Sequence, residues 1–193
     1  MMPRPADPER SARILAAARA LFFQRQYEQT TMADIAAAAD MGVGSLYVYF
    51  PTKETIALTL VEHYFAELHE AIVPPLHDLA GAQAITQTIV AGLASAQRNI
   101  DVVALCRLIP IQCLLPERQR LLAAIEHAVA HQIGQGHFLP LDPIFVTQWI
   151  NAQIEWVIIH CLVERTGSIA AYQHQLTEVI VRAIVSPPTT PSP

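Results

Sequence analysis

The chain has 193 residues, twelve Lys plus Arg against seventeen Asp plus Glu for a formal net charge of -5, and 52% apolar side chains; 29 residues are alanine and seven glycine. That balance excludes a disordered chain, which lacks the apolar surface to fold, and favours a mostly helical one, since alanine is the best helix former. The most apolar stretch, Val157 to Val163, contains His160 and stops at Glu164, short of the ~18 apolar residues of a membrane span.

Residues 1–7 lack the apolar core of a signal peptide. Three scattered cysteines, Cys106, Cys113 and Cys161, make no disulfide framework. The expectation is a soluble, cytoplasmic, all-α protein with no membrane partner. Its charge is divided. Residues 1–56 carry six basic and six acidic side chains, residues 57–193 six and eleven. The second part is therefore a poor match for nucleic acid, while the first suits it if its cations share a face. Eleven of the twelve cations are Arg, and Lys53 is the single lysine.

In chain order, the spacing of Ile14, Leu15, Ala18, Leu21 and Phe22 predicts one apolar face on a helix from about Pro8 to Gln24. Thr31-Met32-Ala33-Asp34 reads as a capping box opening a second helix to about Ala39. Asp40-Met41-Gly42 breaks it, and a third short helix runs from Val43 to Tyr49. Pro51 ends that one, and Thr52 caps a long fourth helix through Ile56, Leu60, Tyr64, Leu68 and Ile72 to Pro74-Pro75.

Further helices are expected at about Ala82–Asn99, Asp101–Ile109 and Pro116–Gly134, with the segment between Pro110 and Pro116 broken twice. Asp142-Pro143 is a helix start, an N-cap followed by proline. The helix it opens, to Glu164, has two apolar stripes: Phe145, Trp149, Ala152, Trp156, Ile159 and Val163, and Ile150, Ile154, Val157 and Cys161. A helix apolar on two sides needs two covers, one of which can be a second subunit. A last helix follows Gly167-Ser168, with Ile169, Tyr172, Leu176, Val179, Ile180 and Ala183 on one face, and the tail 186–193 is expected to be disordered.

Three short helices, the last two joined by a tight turn, describe a helix-turn-helix unit, although short helix pairs also occur as ordinary packing. The segment Arg13-Ile14-Leu15-Ala16-Ala17-Ala18 with Leu21-Phe22, Tyr27, Thr30-Thr31, Ile35-Ala36, Gly44, Leu46-Tyr47, Tyr49-Phe50 and Lys53-Glu54 resembles the tetracycline-repressor (TetR-like) family over about residues 10–60. The rest is similar to that family only in length, helicity and two helices suited to dimerisation.

The resemblance implies an all-α protein with a helix-turn-helix DNA-binding domain (1–52). A long fourth helix joins it to a helical effector-binding and dimerisation domain (53–185), and a tail (186–193) follows. It also implies a dimeric regulator, usually a repressor, binding a palindromic double-stranded operator and released by a small molecule. Its homodimer would form through helices at about 143–164 and 168–185. Three positions depart from the family pattern: Gln26 in place of a helix-ending glycine, Asp40 for the glycine of the turn, and Gly42 for a Ser or Thr cap.

Carried over residue by residue, phosphate contacts fall to Thr31, Tyr49 and Lys53, and base-edge readers to Val43, Gly44, Ser45 and Tyr47. Ala33 can approach a thymine methyl. Arg4, Arg10 or Arg13 is expected to supplement these from the N-terminal arm. Thr31 is a helix cap with or without DNA, and Tyr47 is open to a core role against Phe22. Leu46, Phe50, Ile35 and Leu21 are expected in the core, whereas Tyr49 and Lys53 are expected to be exposed.

For the effector, the stripe Trp149, Gln153, Trp156 and His160 has the composition of an apolar site with a few orienting groups, and equally that of a dimer interface. Tyr64, Gln97, Cys106, Gln112 and Cys113 lie on helices that usually surround the family's pocket. His127 and His131, four apart, have a metal-ligand spacing, but their face with Arg120 and Ala124 reads as solvated surface. Cys106 and Cys113 read as buried structural thiols. No metal or cofactor is expected, and no catalytic constellation marks an enzyme. The competing reading is a helical carrier of apolar small molecules without DNA binding, which leaves Tyr49 and Lys53 unexplained.

Overall fold

The computed structural model describes residues 7–187. Arg4 and residues 188–193 of the expected tail lie outside the described residues. The fold is all-α, in the order α1 Pro8–Arg25, α2 Met32–Ala38, α3 Val43–Tyr49, α4 Lys53–Asp78, α5 Gly81–Arg98, α6 Ile100–Cys106, α7 Ile111–Gly134, α8 Pro143–Ile158 and α9 Ile169–Ile184. Strand-like pairing among the described residues is an isolated antiparallel bridge between Phe138 and Val185. No single helix among them is long and apolar enough to cross a membrane. The chain forms two compact units: residues up to Tyr64 with Asp101–Pro116, and Phe65–Ile100 with the chain from Glu117 onward.

In the first unit, α1 starts at Asp7, whose carboxylate accepts from the Glu9 amide at 3.1 Å, with proline at the first helical position. The α1 stripe is buried as its spacing predicts, and Leu21, Ile35, Leu46 and Phe50 are all core. The Arg19 guanidinium forks onto the Asp101 carboxylate of α6 through Nε and through Nη2, the latter at 2.8 Å. Two parallel charge-assisted bonds fix direction as well as distance, so α6 is held against α1. That helix ends at Cys106, three residues before the expected Ile109. Pro110 disfavours helical geometry in the residue before it.

The turn after α1 is strained. Gln26 takes φ 69° and ψ 151°, a region that is nearly glycine-only and costs another residue ~1–3 kcal/mol. Asp40 adopts φ 53° in the turn between α2 and α3, which short polar side chains tolerate better. The α2 capping box forms in both directions: Asp34 N donates to Thr31 Oγ1 at 3.2 Å, and Thr31 N to Asp34 Oδ2 at 2.9 Å. Helix α3 has Gly42 as its cap, without a side-chain bond.

Helix α4 begins as expected, Thr52 Oγ1 accepting from Thr55 N at 3.2 Å. It does not stop at the prolines, running through Pro74 and Pro75 to Asp78. Its end is held from 56 residues away in the second unit. The buried Gln132 amide donates to Leu76 O at 3.0 Å and to Leu79 O at 2.6 Å, while its oxygen accepts from Gly81 N at 3.3 Å. One side chain on α7 thus satisfies the orphaned carbonyls at the end of α4 and an amide at the start of α5. Ile85, Ile89, Leu93, Val129, Phe138, Val157, Ile180 and Ile184 belong to the core of this unit.

The segment after Pro110 is not broken twice, because α7 runs unbroken from Ile111 through Pro116. And α8 does not continue in register to Glu164. It gives way to a π turn, Ile159–Val163, closed by Glu164 N on Ile159 O at 2.9 Å. Thr166 caps that turn, its N and Oγ1 both donating to His160 O, at 3.0 and 2.9 Å. Gly167 is required beneath it: a Cβ there would lie 2.7 Å from the Tyr172 ring.

Gln26→Gly should relieve the strained turn and raise unfolding free energy by about 1 kcal/mol, the relief being offset in part by a freer unfolded chain. Urea denaturation checks this, and an unchanged or lower midpoint would show that the turn stores no strain.

Candidate functional site

The third helix is placed by a single buried side chain, Leu46, 0% exposed. The other face looks outward: Val43, Gly44, Ser45, Tyr47 and Val48 are all exposed, Tyr47 by 52% and Val48 by 79%. Ala33 and Thr31 are also exposed at the start of α2. A core role for Tyr47 against Phe22 does not hold, because Phe22 instead meets Tyr27 edge to face at 5.1 Å. Tyr49 is half-buried rather than exposed. Arg13 is exposed, and Arg10 is paired with Asp7 at 3.5 Å.

Lys53 departs further from expectation. It is half-buried, its ammonium donating to Tyr27 O at 2.8 Å and Thr30 O at 3.0 Å, 4.3 Å from the centre of the Tyr27 ring. The start of α4 therefore grips both ends of the loop between α1 and α2. Tyr27 is itself buried, which together with the nearby Glu54 carboxylate pushes its pKa up to about 12. Thr31 is likewise occupied. Its hydroxyl lies 2.6 Å from Asp34 Oδ2, and hydroxyl and amide together hold the Asp34 carboxyl below the usual carboxylate range. A phosphate at Thr31 must displace that carboxylate.

The nine expected effector residues are divided between the two units. Tyr64, Cys106, Gln112 and Cys113 belong to the first unit, Gln97, Trp149, Gln153, Trp156 and His160 to the second. Tyr64 is buried, whereas Gln97, Gln112 and Gln153 are exposed. Cys113 is exposed, not a buried thiol; Cys106 is half-buried, and desolvation pushes its pKa to about 11. Trp156 and His160 stack at 4.7 Å and Tyr172 meets both edge-on, a cluster filled by its own rings. His131 stacks on His77 at 4.7 Å.

Sequence reasoning missed a cleft of about 490 Å³ within the second unit, between Phe65, Ala66, Glu67, His69 and Glu70 of α4 and Glu117, Arg120 and Leu121 of α7. None of the nine lines it. Its Glu67 carboxylate is held down in pKa first by Arg98, then by Asn99 and Ser95. The mixed charge of α4 on this face offered no signal, because solvated helices carry the same pattern.

The model of the family of bacterial regulatory proteins, tetR family, matches residues 14–60, the span from α1 into α4 that builds this surface. Over that span the chain is TetR-like. It is 34% identical over 59 residues to the HTH-type transcriptional regulator EthR of Mycolicibacterium smegmatis, which covers 31% of this chain and 27% of that one. The chain spans only 20% and 27% of the length of the curated relatives it matches.

Likeness of fold extends over most of the chain in solved structures. A transcriptional regulator from Saccharomonospora viridis in complex with choline superposes with a TM-score of 0.77 at 21% identity, over 94% of this chain and 100% of that one. FadR from Bacillus subtilis in complex with stearoyl-CoA gives 0.75 at 18%, over 88% and 97%.

Lys53→Met keeps the aliphatic stem of this clamp and removes both bonds to the loop. Hydrogen bonds to charged groups are worth ~1.5–3 kcal/mol each, so losing both should cost urea unfolding about 3 kcal/mol. A loss under ~0.5 kcal/mol would mean that the ammonium does not hold the loop.

Proposed function

We propose that this chain is a DNA-binding transcriptional regulator, most simply a cytoplasmic repressor. It binds a palindromic operator as a homodimer and is released by a small-molecule effector. The observation that carries this reading is the outward face of α3: a short helix pinned by one core leucine, with its remaining side chains left for a partner. Such a helix is the usual major-groove reader of a helix-turn-helix. In this reading Val43, Gly44, Ser45 and Tyr47 meet base edges, Ala33 approaches a thymine methyl, and Tyr49 contacts a phosphate. Thr31 and Lys53 add phosphate contacts only secondarily, since each already holds the fold.

Dimerisation is supported by the apolar surface left on α8 and α9, where Ile144, Phe145, Trp156 and Val179 are each more than half exposed. Solitary exposed apolar residues need no explanation, but four on two helices of one unit suit a partner surface. The ligand complexes of FadR and of the Saccharomonospora viridis regulator support an effector, which can shift DNA binding only by its different affinity for two states of the dimer. A carrier without DNA binding gives no account of the α3 face.

Gly44 separates function from stability. Glycine inside a helix costs ~1 kcal/mol relative to alanine, and a Cβ there would meet nothing within 4 Å. The protein's own packing does not require it; close approach to a groove does. In a binding assay with DNA flanking its own gene, Gly44→Ala should melt higher than the wild type yet bind at least about tenfold more weakly. Equal binding by the two proteins would remove the close approach from this account.

A further inference from the structure

The α3 face is chemically unusual for a base reader. From Met41 to Thr52 no side chain is charged and none is an amide, so the paired hydrogen bonds by which Arg reads guanine and Asn or Gln reads adenine are absent from it. What it offers is apolar. Val48 is 79% exposed, more than any other large apolar side chain among the described residues, with Val43 at 39% and Tyr47 at 52%. Val48 follows Gly44 by four positions and so sits beside it on one face of the helix. With no side chain at Gly44 and open space around it, Val48 is left uncovered on that face. Helix packing gives no reason for a valine there, since the core contact of α3 is Leu46.

The major groove displays one apolar group, the C5-methyl of thymine. We propose that Val48, assisted by Val43, determines operator specificity by packing against thymine methyls, so that the half-site places thymines under α3. This rests on the regulator reading above and adds to it both a residue and a base.

The test uses the full chain and the duplex it recovers from a pool of randomised DNA. Each thymine of the recovered half-site is replaced in turn by deoxyuridine, which keeps the pairing edge and O4 but lacks the methyl. Burying one methyl-sized group corresponds to about fourfold in affinity. The wild type should therefore lose about fourfold at one or two positions. Val48→Ala should bind the thymine duplex about fourfold more weakly and be indifferent to deoxyuridine at one of those positions. Sequence-preferring binding that deoxyuridine leaves unchanged at every position would overturn the methyl readout while leaving the regulator intact. If no duplex is recovered, the regulator reading falls and this inference falls with it. Because the deoxyuridine series uses unmodified protein, a folding defect in the variant cannot imitate either result.

Discussion

The geometry of the surface proposed to face DNA depends on a contact within the protein, between the start of α4 and the loop before α2. The Lys53 ammonium holds the carbonyls of Tyr27 and Thr30, the two ends of a loop whose first residue, Gln26, is in a strained conformation. A strained turn persists only where its surroundings over-determine it. The clamp does this from the start of α4, the Thr30 hydroxyl adds a bond to Gln26 O at 3.0 Å, and the Thr31–Asp34 box then sets the direction of α2. Helix α3 inherits that direction through the turn at Asp40. Loosening Lys53 would move every residue expected to touch DNA, so its loss would weaken binding whether or not it meets a phosphate.

Two properties of the surface hung from that clamp pull in different directions. Six basic and six acidic residues in the first 56 give it no net charge, and several cations are already committed: Arg19 to Asp101, Arg25 beside Asp34 at 3.6 Å, and Lys53 to the loop. Electrostatic attraction alone is therefore modest. In the proposed reading, shape and apolar contact at Val43, Gly44, Tyr47 and Val48 carry more of the recognition, which fits a helix with glycine in its first turn and no bidentate donor.

Much of the fold was legible in the sequence. Helix α3 was readable to the residue because Gly42 and Pro51 punctuate it, and the α2 cap because Thr31 and Asp34 are a local pair. Local signals failed where distant groups intervened. Pro74 and Pro75 read as a stop, yet Gln132 satisfies the carbonyls beyond them. The stripe on α8 read as regular to Val163, yet Thr166 and Gly167 fold back on a π turn. At the candidate site, the outward residues of α3 followed from the family resemblance, but the double duty of Lys53 did not. Its partners lie 23 and 26 residues away, and no spacing rule links a lysine to two particular carbonyls. Val48 was overlooked because a valine reads first as core.

The most direct test of the central claim is a salt titration of the full chain's affinity for the DNA flanking its gene. Each phosphate neutralised releases counterions and adds about -0.9 to the slope of log affinity against log salt. The account predicts a clear negative slope for this duplex and weaker binding to a random duplex at every salt concentration. A flat line, or equal affinity for both duplexes, would contradict it.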